Sequence, residues 1–112
     1  MTLQFSKQRA VPRYAFVASA EVTEMSSGAL LSARTSQLGL GGCYIDALNP
    51  FPEGTLVHLR ILRDKGAFDA KALVVYCHPG TGMGLAYAGI APDQQSLLEA
   101  WLAELVSQLR SI

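Results

Sequence analysis

The sequence is short of the residues that most chemistry needs. Charged side chains make up 16% of its 112 residues, and the nine basic and nine acidic ones cancel to a formal charge of zero. That balance argues against a general nucleic-acid coat, which depends on a basic surface, so neither DNA nor RNA is expected as a partner. The two cysteines, Cys43 and Cys77, are too few for a disulfide framework. The two histidines, His58 and His78, share no C-x-x-C or H-x-x-x-H spacing with them, so no metal site is expected. No Ser/His/Asp arrangement and no close carboxylate pair stands out, so no catalytic residue is expected and the chain does not read as an enzyme. The stretch from Met1 to Arg9 lacks an apolar h-region; no signal peptide is expected, and a reduced, cytoplasmic setting is the default. The uncharged stretch from Leu73 to Pro92 is interrupted by Pro79, Gly80, Gly82, Gly84 and Gly89, which suits a hairpin in a soluble domain rather than a membrane span.

What is present is a chain that is 50% hydrophobic and long enough to bury one core. Its first thirteen residues carry Lys7, Arg9 and Arg13 without an acid, a basic N-terminal arm over residues 1–13. Short strand patterns follow over residues 14–90: Tyr14 to Val22, Leu30 to Thr35, Cys43 to Ile45, Thr55 to Leu62, Phe68 to Cys77 and Met83 to Ile90. The clearest is Thr55 to Leu62, where Val57, Leu59 and Ile61 alternate with His58 and Arg60. Turn clusters separate them at Ser26-Ser27-Gly28, Asn49 to Gly54 and Asp64-Lys65-Gly66. The run Gly80 to Gly84 lies between two strands, where a dinucleotide fingerprint would have to open a helix, and is therefore hairpin glycine. Over residues 92–110 the period changes: Leu97, Leu98, Trp101, Leu102, Leu105, Val106 and Leu109 form an apolar helical stripe, with Asp93 expected as N-cap. Strands at this spacing with a terminal amphipathic helix predict a small barrel or sandwich that the helix packs against.

Two clusters are candidates for binding. Pro12 keeps the Arg9-to-Arg13 segment extended, so both guanidinium groups lie on one side, at most about 13 Å apart. Paired forks of this kind grip phosphates and guanine O6/N7 edges. The second cluster, Gln37-Leu38-Gly39-Leu40-Gly41-Gly42, is expected to form a loop in which glycine permits positive φ and leaves backbone N–H groups open. Each feature alone is ordinary: two surface arginines, and a tight turn.

Their order along the chain carries more. An Arg-x-x-x-Arg arm, a strand, Leu38-Gly39-Leu40-Gly41-Gly42-Cys43-Tyr44-Ile45, then Pro52-Glu53-Gly54-Thr55, Ala72 to Tyr76, Gly82 to Tyr87 and a closing helix with Trp101-Leu102 together resemble the PilZ domain family, from about Lys7 to Leu109. The resemblance implies a single domain, a six-stranded antiparallel β-barrel with a C-terminal α-helix, and a receptor for cyclic di-GMP. It implies that Arg9 and Arg13 clamp the dinucleotide, and that Gln37, Gly39, Gly41 and Gly42 belong to the facing motif. That motif reads Asp/Asn-x-Ser-x-x-Gly; its three positions fall on Gln37, Gly39 and Gly42, and only Gly42 matches. Losing one charged and one neutral hydrogen bond costs about 2–4 kcal/mol of affinity. Two functions follow from the resemblance. One is a cyclic di-GMP sensor whose ordered arm signals to an unidentified protein partner in trans. The other is a degenerate adaptor that binds no nucleotide and acts through protein contacts.

Overall fold

Side-chain alternation decides most of the architecture. In the strand Leu56–Arg63 the residues Val57, Leu59 and Ile61 are fully buried, while Leu56, His58, Arg60 and Leu62 face outward. The computed structural model describes residues 12–110. Within them the chain forms β1 (Arg13–Glu24), β2 (Leu30–Gly39), β3 (Gly42–Asp46), β4 (Leu56–Arg63), β5 (Gly66–His78), β6 (Gly82–Gly89) and α1 (Pro92–Arg110). The strands close into a barrel in the order β1-β2-β3-β6-β5-β4, every pairing antiparallel. The all-β barrel with a C-terminal helix is thus the architecture expected from the sequence.

The core is filled from every strand. Val22, Leu38, Ile45, Val57, Leu59, Ile61, Phe68, Met83 and Leu85 are all fully excluded from solvent. Helix α1 adds Leu98, Trp101 and Leu102 to the same cluster. Trp101 stacks on Phe16 at 5.9 Å and tilts against Phe68 at 6.3 Å. Arg63 lies over both Phe16 and Trp101, 5.4 and 5.6 Å from the ring centres. The Gln94 side-chain oxygen accepts the Asp69 backbone N–H at 2.7 Å, which fixes the start of the helix on β5.

Three local expectations need correction. The Gln95 N–H bonds to the Ala91 carbonyl, so Ala91 is the N-cap, Pro92 the first helical residue and Asp93 the second. Proline is suited to that first position because its missing N–H has no helical partner there and its φ is already set; Asp93 then faces the helix dipole from within the first turn. Arg13 opens β1 instead of ending an arm, since it pairs with Gly39. Finally, β2 does not stop at Thr35 but runs to Gly39, so Gln37 and Gly39 belong to a strand and not to a loop. Leu38 explains this: it is fully buried, with Tyr14 and Cys43 as its cross-strand partners.

A β-bulge then decides what faces out. Thr35 is fully buried, and in a regular strand Gln37, two residues on, would share its inward face. Pairing with β3 skips a residue between Thr35 and Gln37, and Gln37 is exposed. The Thr35 hydroxyl secures the irregularity, its single proton shared between the carbonyl oxygens of Gln37 and Tyr44 at 3.0 and 2.9 Å.

Candidate functional site

The outer face of β1, β2, β3, β6 and β5 can be followed row by row through the pairings. The first row runs Arg13, Gly39, Gly42 and Ala86. The second runs Ala15, Gln37, Tyr44, Gly84 and Tyr76. The third runs Arg34, Asp46, Gly82 and His78. Glycine backbone therefore alternates on this face with two guanidinium groups, one carboxylate, one neutral amide and three aromatic rings.

The glycines leave room that their neighbours use. A Cβ on Gly42 would collide with the Leu85 carbonyl oxygen and come within 3.1 Å of the Arg13 guanidinium. A Cβ on Gly39 would come within 3.0 Å of the Arg13 side-chain stem. Arg13 thus lies along a groove floored by Gly39 and Gly42, and its Nη1 donates to the Tyr76 hydroxyl at 3.2 Å. The Tyr76 ring in turn covers Gly84 so closely that a Cβ there would penetrate it. Close approach, not positive φ, is what these positions require. The positive φ expected in the Gly39–Gly42 cluster is found instead at Gly28, Gly54, Gly80 and Asp64. Gly41 links β2 to β3 and accepts the Tyr87 N–H through its carbonyl at 3.0 Å.

Three aromatic rings stand beside the groove. Tyr76 and His78 are 5.1 Å apart, Tyr44 and His78 6.0 Å, and Tyr44 and Tyr76 6.2 Å. A 3.1 Å hydrogen bond joins the Tyr44 hydroxyl to His78 Nδ1. Partial burial, followed by the neighbouring Tyr76, Asp46 and Cys77, pushes the Tyr44 phenol above its usual range, so it remains a neutral donor. Asp46 is already engaged, accepting from Ser36 Oγ at 2.9 Å and from Arg34 Nε at 3.2 Å.

Behind the groove the chemistry is inert. Cys43 is fully buried, and that burial pushes its thiol up to about 12, against the weaker downward pull of Arg13. Burial likewise drives the Tyr87 phenol upward, and the adjacent Cys43 adds to the rise. Elsewhere Asp69 accepts from Arg60 at 2.9 Å and lies 3.4 Å from His58 Nε2, an ordinary surface cluster. Among the described residues no group of three or more His, Cys, Asp or Glu could hold a metal.

Of the residues singled out in the sequence, the structure brings Arg13, Gly39 and Gly42 into one row, puts Gln37 in the next and sets Gly41 at the connecting turn. Arg9 lies outside the described residues. The aromatic shelf was missed, because its members come from β3 and β5 and share no local motif. The signal available was Tyr76-x-His78, on one face of a strand, opposite Gly82-x-Gly84.

Comparison with known proteins gives the family and agrees with the fold. The PilZ domain profile matches residues 7–104, and the chain belongs to the PilZ domain family. No curated protein matches the sequence significantly. Solved structures do. The PilZ domain with c-di-GMP of YcgR from Escherichia coli is 15% identical with a TM-score of 0.73, over 93% of this chain and 95% of that one. The Bacillus subtilis inhibitor of motility MotI/DgrA is 20% identical with a TM-score of 0.69, over 89% of this chain and 52% of that one. The PilZ domain of CeSA from a cellulose-synthesizing bacterium is 17% identical with a TM-score of 0.67, over 84% and 97%. This chain therefore spans about half the length of MotI/DgrA, whereas it covers nearly all of the isolated PilZ domains. Among the described residues no helix is long and apolar enough to cross a membrane.

Proposed function

We propose that this chain is a receptor domain for cyclic di-GMP, which binds on the outer face around Arg13. The observation that carries the reading is the guanidinium held over a floor of Gly39 and Gly42, beside an aromatic shelf. A guanidinium has five N–H donors, and Tyr76 takes one of Arg13's. The remaining donors can meet a phosphate, or the O6/N7 edge of guanine, without that anchor being lost. Glycine lets a sugar–phosphate ring approach the backbone, and Tyr76 with His78 offers ring area for a base to stack. YcgR, one of the structural neighbours, holds c-di-GMP, which supports the same ligand class for this chain. Arg9 joins Arg13 in the clamp, and the segment carrying it presents the changed surface to a partner protein in trans.

A second reading is an adaptor that binds no nucleotide. Its support is the paired Leu56 and Leu73 with nearby Val75, which are 43%, 37% and 37% exposed on the outside of the barrel. Isothermal titration with cyclic di-GMP, with GTP as control, separates the two. The receptor gives micromolar or tighter binding that Arg13→Ala weakens more than tenfold while the melting temperature of the free protein changes little. Absence of heat up to about 100 μM ligand, with an unchanged melting temperature, selects the adaptor.

A further inference from the structure

An arginine on an outer strand face ordinarily samples many rotamers, but Arg13 is held at three points. Its stem passes over Gly39 and its Nη2 over Gly42, where a Cβ would come within 3.0 and 3.1 Å of them. The third point is the Tyr76 hydroxyl, which accepts from Nη1 at 3.2 Å. The glycines only clear a path. The hydroxyl gives the guanidinium its direction.

Tyr76 reaches that place through two features of β5. Val74 is buried opposite Leu85, and in regular alternation Tyr76 would share its inward side. The register slips between Val74 and Tyr76, so Tyr76 emerges on the outer face opposite Gly84. There a Cβ on Gly84 would overlap three of its ring carbons, so the ring sits directly on glycine backbone. His78 flanks it at 5.1 Å and Tyr44 at 6.2 Å between ring centres. Floor and sides together set where the hydroxyl lies. Its chemistry also matters. A carboxylate there would hold Arg13 as firmly but would offset the charge that a phosphate needs, as Asp46 does for Arg34. A phenol hydroxyl orients the guanidinium and leaves its charge free.

Resting on the receptor function proposed above, we infer that Tyr76 is a positioning residue. Its hydroxyl acts on the nucleotide through Arg13, holding the guanidinium aimed and charged before the ligand arrives, and Gly84 seats it. The gain is preorganisation: a long side chain that is already held loses less freedom when the ligand binds.

The test uses the full chain and Tyr76→Phe, which keeps the ring and removes the hydroxyl. Two quantities are measured: affinity for cyclic di-GMP by isothermal titration, and rotation of the Arg13 guanidinium in the free protein by nitrogen NMR, assigned against Arg13→Ala. Wild type is expected to show slow Arg13 rotation. In Tyr76→Phe rotation becomes fast and affinity falls roughly three- to tenfold, with a nearly unchanged melting temperature. Gly84→Ala adds and removes no polar side-chain group, yet by displacing the ring it is expected to free Arg13 and to weaken binding at least as much. Affinity in Tyr76→Phe within about twofold of wild type overturns this inference alone. Fast rotation in wild type does the same, as does slow rotation retained in either variant. Weaker binding of Tyr76→Phe with Arg13 still slow would mean that the hydroxyl meets the nucleotide itself. Failure of cyclic di-GMP to bind wild type overturns the receptor function, and this inference with it.

Discussion

The same strands carry two different surfaces, and the inside of the barrel differs from the outside in what a substitution removes. Inward, β3 and β6 present Cys43, Ile45, Met83 and Leu85, all fully buried. Outward, the same strands present Gly42, Tyr44, Gly82 and Gly84, where space is kept for rings and a guanidinium from β5 and β1. Inner positions hold the fold through apolar area removed from water. Outer positions hold little of it, and their constraint is shape. Stability and recognition are therefore separable within one strand, by residue parity.

The sharpest way to break that comparison is at its inner extreme. Phe68→Ala deletes a fully buried ring that contacts Trp101 and Tyr87, and is expected to cost about 3–5 kcal/mol in denaturant unfolding. Gly42→Ala tests the boundary between the surfaces. Its new methyl meets the Leu85 carbonyl, so a loss of about 1–3 kcal/mol is expected together with weaker nucleotide binding. The outer extreme is Arg13→Ala, which removes one 3.2 Å hydrogen bond to Tyr76. Binding is expected to fall by more than tenfold while stability changes by about 1 kcal/mol or less.

pH offers a purely internal probe. The folded pKa of Cys43 lies above its unfolded value, so the buried neutral thiol contributes stability that is complete below the unfolded pKa and declines above it. The expected decline begins near 9.0 and continues toward 12, with a slope approaching about 1.4 kcal/mol per pH unit from this residue. Tyr87, also shifted upward, adds to the decline only above about 10. Denaturant titrations between these values should show a shallower slope in Cys43→Ala. The smallest effect belongs to the exposed ion cluster: Asp69→Asn is expected to change stability by about 0–1 kcal/mol, since surface pairs are screened.

Much of the fold was legible in the sequence because parity and period are local signals. The Val57-Leu59-Ile61 alternation locates β4, and the Leu98-Trp101-Leu102 spacing gives both the helix and its buried side. The site was legible only in part. Three glycines within residues 39–42 look like a loop, and no local signal says that Leu38 is buried and carries the strand through to Gly39. The bulge at Ser36 reverses the side on which Gln37 emerges, and it depends on β3, which is remote from any window around Gln37. Tyr44 and His78 are 34 residues apart, and only barrel closure through β3 and β6 brings them within hydrogen-bond distance. Arg13 was found by its motif, yet its partner Tyr76, 63 residues away, was not.

The central claim is that recognition occupies the outer face of β1, β2, β3, β5 and β6 and leaves the interior untouched. Backbone amide chemical shifts recorded during titration with a cyclic dinucleotide test it most directly. The account predicts large shifts at Arg13, Gln37, Gly39, Gly42, Tyr44 and Tyr76, with Val57, Leu59, Ile61 and Phe68 nearly unmoved. Shifts concentrated instead around Glu24, Glu53 and Thr55 at the opposite turns, or along α1, would contradict it.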